Sequence, residues 1–123
     1  MTHLPGVGID LLEISRLEVA LERRPGLKLR LFDKDEIKFC ERSRRPARQL
    51  ATRFCAKEAT IKALGLSSAC MRDIVVRGGG VEPPRILLKG HAARVARDNG
   101  VSVSISLTHE RGMAAAVALT TRP

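Results

Sequence analysis

The chain has 123 residues and carries 22 Lys and Arg against 13 Asp and Glu, a net charge of +9. That length makes one domain, 1–123, and excludes a multidomain machine, while 44% apolar residues exclude wholesale disorder. Three Phe with no Tyr or Trp leave few rings for stacking bases, so the positive charge predicts a polyanionic partner without singling out nucleic acid.

Residues 4–12, Leu-Pro-Gly-Val-Gly-Ile-Asp-Leu-Leu, read as a strand with Pro and Gly at its start. Residues 13–23 follow with Ile14, Leu17 and Leu21 at helical spacing, and Pro25-Gly26 ends them. Asp33 with Glu36 three residues later resembles a capping box that opens a short helix over 34–42. Pro46 suits the first turn of a long helix that Gly65 follows, with Leu50, Phe54, Ile61 and Leu64 as its apolar stripe. Residues 72–77 and 85–89 predict a hairpin, with Gly78-Gly79-Gly80 as a flexible turn ahead of Pro83-Pro84. A helix over 91–98 closes at Asn99-Gly100. Val101, Val103, Ile105 and Leu107 then alternate with serines as a strand, and a turn over Thr108–Gly112 leads to a small-residue strand, Met113–Thr120. This order predicts an α+β fold, an antiparallel sheet packed against one long and several short helices.

Cys40, Cys55 and Cys70 form no CxxC or Cys/His cluster, so they read as free thiols in a reducing cytosol. The first five residues lack a basic segment followed by a long apolar one, and no apolar run is long enough to span a bilayer. A cytoplasmic location without membrane attachment is therefore expected.

Three segments carry candidate chemistry. In Gly6-Val7-Gly8-Ile9-Asp10 an acid stands at the end of an apolar strand, where it needs a partner: a salt bridge, a cap or a hard cation. In Arg53-Phe54-Cys55-Ala56-Lys57-Glu58-Ala59-Thr60-Ile61-Lys62, Glu58 and Lys62 share a helix face. Alone they make an ordinary ion pair, but Arg53 and Lys57 add cations, and one carboxylate among three cations suits a divalent metal with a polyphosphate. His109, in Ser106-Leu107-Thr108-His109, is reachable by a ligand at a strand-to-turn junction. Gly78-Gly79-Gly80 is not a phosphate loop, since no Lys-Ser/Thr follows it. The rival to these readings is a basic nucleic-acid-binding domain without enzymatic activity. It is supported by six basic residues without an acid between Arg42 and Lys57, and opposed by the scarcity of aromatic rings.

Together the segments resemble the holo-acyl-carrier-protein synthase family, the small type of 4′-phosphopantetheinyl transferase. Val7-Gly8-Ile9-Asp10-Leu11-Leu12-Glu13-Ile14 is similar to its opening strand, Arg53 to Ala59 with Lys62-Ala63-Leu64 to its signature helix, and Ser106-Leu107-Thr108-His109 with Ala114 to Ala118 to its closing hairpin. The chain departs at Ile9, where many members have Thr, and at Ile61, where Ser is frequent. The resemblance implies transfer of the phosphopantetheine arm of coenzyme A to a serine of acyl carrier protein, releasing adenosine 3′,5′-bisphosphate. By the same resemblance Asp10 and Glu58 hold Mg²⁺. Arg53, Lys57 and Lys62 neutralise phosphates, Thr108 and His109 meet the coenzyme, and Glu58 with Lys62 serves catalysis, Glu58 as the base. Arg16, followed by Arg23 and Arg24, would face the acidic carrier protein. A homotrimer with sites between subunits is implied, and the small residues of Met113–Val117 would allow close packing there. A relative that binds coenzyme A without transferring its arm is a further alternative.

Overall fold

The alternation near the start of the chain becomes β1 (Val7–Glu13), and helical spacing takes over at once in α1 (Ile14–Arg23). The computed structural model describes residues 4–123; Met1–His3, on which part of the leaderless reading rests, lie outside the described residues. Pro25-Gly26 ends α1, but a short helix that the sequence does not announce follows, α2 (Leu27–Leu31). Five residues are too few to hold a helix by propensity. Packing holds this one: Leu31 lies against the core, and the Arg72 guanidinium donates to the Leu29 carbonyl at 2.8 Å. α3 (Lys34–Glu41) opens on the expected capping box, with Glu36 N–H donating to Asp33 Oδ1 at 2.8 Å and Asp33 N–H to Glu36 Oε1 at 2.9 Å. α4 (Pro46–Leu64) begins on its proline and stops at Gly65, whose φ of 67° lets Leu66 N–H reach back to the Ile61 carbonyl.

A 3₁₀ turn (Ser68–Asp73) leads to the hairpin β2 (Ile74–Arg77) and β3 (Arg85–Leu88), then α5 (Gly90–Asp98), β4 (Ser102–Glu110) and β5 (Met113–Thr121). β1, β5 and β4 form an antiparallel sheet in that order, apart from the β2-β3 pair, which gives the expected α+β class. β4 runs through the expected turn. Thr108 and His109 are strand residues, and the reversal falls to Arg111 and Gly112, both at positive φ as tight hairpins require.

Small side chains bring helix and sheet together. Gly8 of β1 and Ala114, Ala116 and Ala118 of β5 face Ala51, Cys55, Ala56, Ala59 and Ala63 of α4, all of them buried. Ala114, Ala116 and Ala118 thus pack inward, while Met113, Ala115 and Val117 fall on the other face of β5. A Cβ at Gly8 would collide with the Ala59 carbonyl, so β1 and α4 meet backbone to backbone there. From Leu50 to Leu64 only Phe54, Glu58 and Lys62 escape burial, each four residues from the next. α4 is a central helix with one narrow open face. On the far side of the sheet Val7, Ile9, Leu11, Val117 and Leu119 are exposed. Among the described residues no helix is long and apolar enough to cross a membrane.

Candidate active site

Asp10 does not end its strand. It sits in the middle of β1 opposite Ala116, on the same side as Gly8 and Leu12, and so is delivered to α4 by the Gly8 contact. On α4 it meets the open face that carries Glu58 and Lys62. Lys62 Nζ donates to the Ile9 carbonyl at 2.8 Å and stands 3.5 Å from Asp10 Oδ1. Burial, and then the charge of Asp10, pushes the Glu58 carboxyl above the usual carboxylate range, with Lys62 opposing. Beneath them the Cys55 thiol is pushed up to about 12 by burial, then by Asp10 and Glu58, and stays neutral. Lys62 thus pairs with Asp10, while its charge and that of Asp10 act on Glu58. Among the described residues no cluster of three His, Cys, Asp or Glu encloses an ion. An open pair of hard oxygen donors suits a small divalent cation that shares its coordination with water and phosphate.

The other two cations of the signature helix lie elsewhere. Lys57 is 0% exposed, and its Nζ donates to Glu36 Oε1 at 2.8 Å, while Val76 N–H donates to Glu36 Oε2. Its ammonium is matched inside the protein and faces no cavity, so the expectation that Lys57 binds phosphate is corrected. Arg53 is 1% exposed, donates to the Gly78 carbonyl at 2.6 Å and lies over Phe39. The signal missed was Glu36, which serves the cap of α3 and the charge of Lys57 together. The glycine run missed its own role too: Gly79 N–H donates to the Glu82 carbonyl, and the turn sits on Arg53 instead of waving free.

His109 lies where two cavities approach each other. One, of about 410 Å³, is lined by Gln49, Thr52, Arg53, Pro84, Ser106 and His109. The other, of about 660 Å³, has Arg45, Arg48 and Arg111 around His109. Thr108 lines neither cavity, although Ser106, on the same face of β4, lines the first. Arg45 and Arg48 belong to the acid-free basic run, a signal that marked them without choosing between ligand and water. Arg16 and Arg23 of α1 and Arg24 just past its end share one surface groove with the exposed Val19. The two departures from the family pattern avoid the carboxyl pair: the Ile9 side chain is exposed on the outer face of the sheet, and Ile61 enters the core.

Comparison with known proteins shows which family the chain resembles. The sequence profile of the 4′-phosphopantetheinyl transferase superfamily matches residues 6–115. The chain is 44% identical over 115 residues to a holo-[acyl-carrier-protein] synthase of Moorella thermoacetica, covering 91% of this chain and 90% of that protein. Among solved structures it resembles the acyl carrier protein synthase of Mycobacterium tuberculosis, with a TM-score of 0.75 and 33% identity over 98% of this chain and all of the other. It also resembles the Helicobacter pylori holo-[acyl-carrier-protein] synthase solved in complex with coenzyme A, with a TM-score of 0.77 and 28% identity over 94% of this chain and 99% of that one. With a profile matched over most of its length and a relative this similar across nine-tenths of both proteins, the chain belongs to the 4′-phosphopantetheinyl transferase superfamily.

Proposed function

We propose that this protein is a Mg²⁺-dependent holo-acyl-carrier-protein synthase that moves the 4′-phosphopantetheine arm of coenzyme A to a serine of apo-acyl carrier protein. The observation that carries the reading is the placement of Asp10 beside Glu58 and Lys62 on the single open face of α4. Asp10 and Glu58 would hold the cation. Mg²⁺ would supply charge neutralisation for the pyrophosphate oxygens. The serine Oγ forms a bond to the phosphorus that bears pantetheine, and the bond from that phosphorus to the bridging oxygen breaks. That oxygen leaves with adenosine 3′,5′-bisphosphate. Glu58 would accept the serine proton. Lys62 offsets charge on the phosphates.

The cavity of Gln49, Thr52, Ser106 and His109 takes the nucleotide end of the coenzyme, with Arg45, Arg48 and Arg111 nearby for its phosphates. The groove of Arg16, Arg23 and Arg24 docks the acidic carrier protein, an association that salt weakens. The exposed apolar face of β1 and β5 supports a homotrimer, through which Thr108 can reach a neighbour's coenzyme. Three free buried cysteines fit a cytoplasmic setting.

Incubation with apo-carrier protein, coenzyme A and Mg²⁺, read by mass spectrometry, tests the reading. The wild-type protein is expected to add the phosphopantetheine mass to the carrier. Asp10→Asn and Glu58→Gln are each expected to slow transfer by at least about a hundredfold while remaining folded, and chelation of the metal to stop it. Coenzyme binding without a mass gain points to the non-transferring alternative, and turnover by Glu58→Gln within a few-fold of wild type overturns the assignment of Glu58.

A further inference from the structure

Phe39 of α3, Arg53 of α4 and Gly79 in the β2-β3 turn form a stack of three layers. The Arg53 guanidinium lies 4.0 Å from the Phe39 ring centroid. Its Nη2 donates to the Gly78 carbonyl at 2.6 Å. A side chain at Gly79 would stand 3.6 Å from both terminal nitrogens of Arg53, and one at Gly80 would stand 3.7 Å from the Phe39 ring. Gly78 and Gly79 hold φ of 76° and 93°, where glycine alone is unstrained. Gly79 N–H donates to the Glu82 carbonyl at 2.8 Å and closes the turn. This is a built support: the buried guanidinium has an aromatic face and one carbonyl as partners, its Nε remaining buried without a hydrogen bond, and glycines let the turn settle on it.

Arg53, Gly79, Pro83 and Pro84 then make one side of the cavity that Ser106 and His109 close from the sheet. We propose that Arg53 is a positioning residue for the coenzyme: through Phe39 and the Gly78 carbonyl it holds the Gly78–Pro84 turn as the wall against which the nucleotide end seats, without gripping a phosphate itself. The inference rests on the assignment of that cavity to the nucleotide end.

Steady-state kinetics on the full-length protein tests it with Arg53→Lys, which keeps the charge but not the stack, and Phe39→Leu. Each is expected to raise the KM for coenzyme A about tenfold, the worth of one charge-assisted hydrogen bond. The kcat and the KM for carrier protein stay within about twofold of wild type, because neither depends on that wall. The double variant is expected to be no worse than the poorer single, since both act through one stack. With 3′-dephosphocoenzyme A as substrate, the ratio of variant to wild-type KM is expected to be unchanged. An unchanged KM in Phe39→Leu, or an Arg53→Lys effect that vanishes with the dephospho substrate, overturns the proposal in favour of direct phosphate contact. A parallel loss in every parameter overturns it in favour of general destabilisation. Hydrogen exchange of Phe39→Leu decides the stack even if Arg53→Lys fails to fold or the wild-type protein transfers nothing. The Gly79 amide is expected to exchange faster while the amides of α4 do not, and an unchanged Gly79 rate overturns the proposal. Failure of the transferase reading is thereby distinguishable from failure of the support.

Discussion

An ammonium group without surface of its own has to find its counter-charge inside the protein, and Lys57 finds Glu36. Burial lowers the Lys57 pKa and the Glu36 carboxylate raises it, so the charge survives only as a pair. Lys57→Met leaves that carboxylate buried with backbone donors alone. The expected loss is about 3–5 kcal/mol, a large part of the roughly 5–15 kcal/mol that keeps such a domain folded. Urea denaturation checks it, with Lys57→Met/Glu36→Gln recovering part of the loss. The KM for coenzyme A per folded molecule stays at the wild-type value, which a phosphate ligand would not allow. Glu58 and Lys62 could be placed on one face because four-residue spacing is a local rule, whereas Asp10, read as ending its strand, falls in the middle of β1. The destination of Lys57 was not legible, because its partner stands 21 residues away on another helix and nothing local distinguishes a lysine bound for water from one bound for the core.

The same division holds for elements. The start of α3 was readable because a capping box is complete within four residues, and that cap has a pH signature. Burial alone would push the Asp33 carboxyl up, but the Arg77 guanidinium at 2.8 Å and the Glu36 N–H outweigh it and hold Asp33 below its ordinary value of 3.8. The folded protein thus binds this proton less readily than the unfolded chain. The stability involved is complete above that ordinary value and is lost as pH falls through the lower, folded one. Asp33→Asn keeps a good cap and gives up the charge, so it costs at most about 1 kcal/mol near neutral pH. Thermal denaturation is expected to show the gap between variant and wild type closing as pH falls below 3.8 and through the lower, folded value, where both carboxyl and amide are neutral. A gap that persists there would assign the difference to the cap instead. α2 was invisible because packing and Arg72 hold it. The end of β4 was misjudged because Thr108-His109-Glu110 has turn-like polarity, while pairing with Ala115, Ala114 and Met113 of β5 makes it strand.

At the scale of the molecule the sheet has two unlike faces. The inner one is closed by α4. The outer one presents Val7, Ile9 and Leu11 beside Val117 and Leu119, an apolar field on a chain of net charge +9, and such fields mark association surfaces. Ile9, 67% exposed, tests this. Ile9→Glu buries a lone charge in any interface formed there, at a cost of several kcal/mol. Sedimentation is expected to show a trimer for the wild-type protein and a monomer for the variant, with transfer falling about tenfold or more if a neighbour completes the coenzyme pocket. A wild-type protein that sediments as a monomer would overturn the assembly. The antiparallel sheet and its long helix were legible from alternation and helix-end signals. The side of β5 on which the alanines would fall was not, because the sequence does not say which face the helix covers.

Where β1 crosses α4 there is no side chain between the two main chains, only Gly8 against the Ala59 carbonyl. The spacing of the two backbones that carry the acids is therefore dimensioned by peptide geometry, which exchanges of aliphatic residues around them cannot stretch. Drift in the interior over many generations can erode the margin against melting long before it throws the two acids out of alignment.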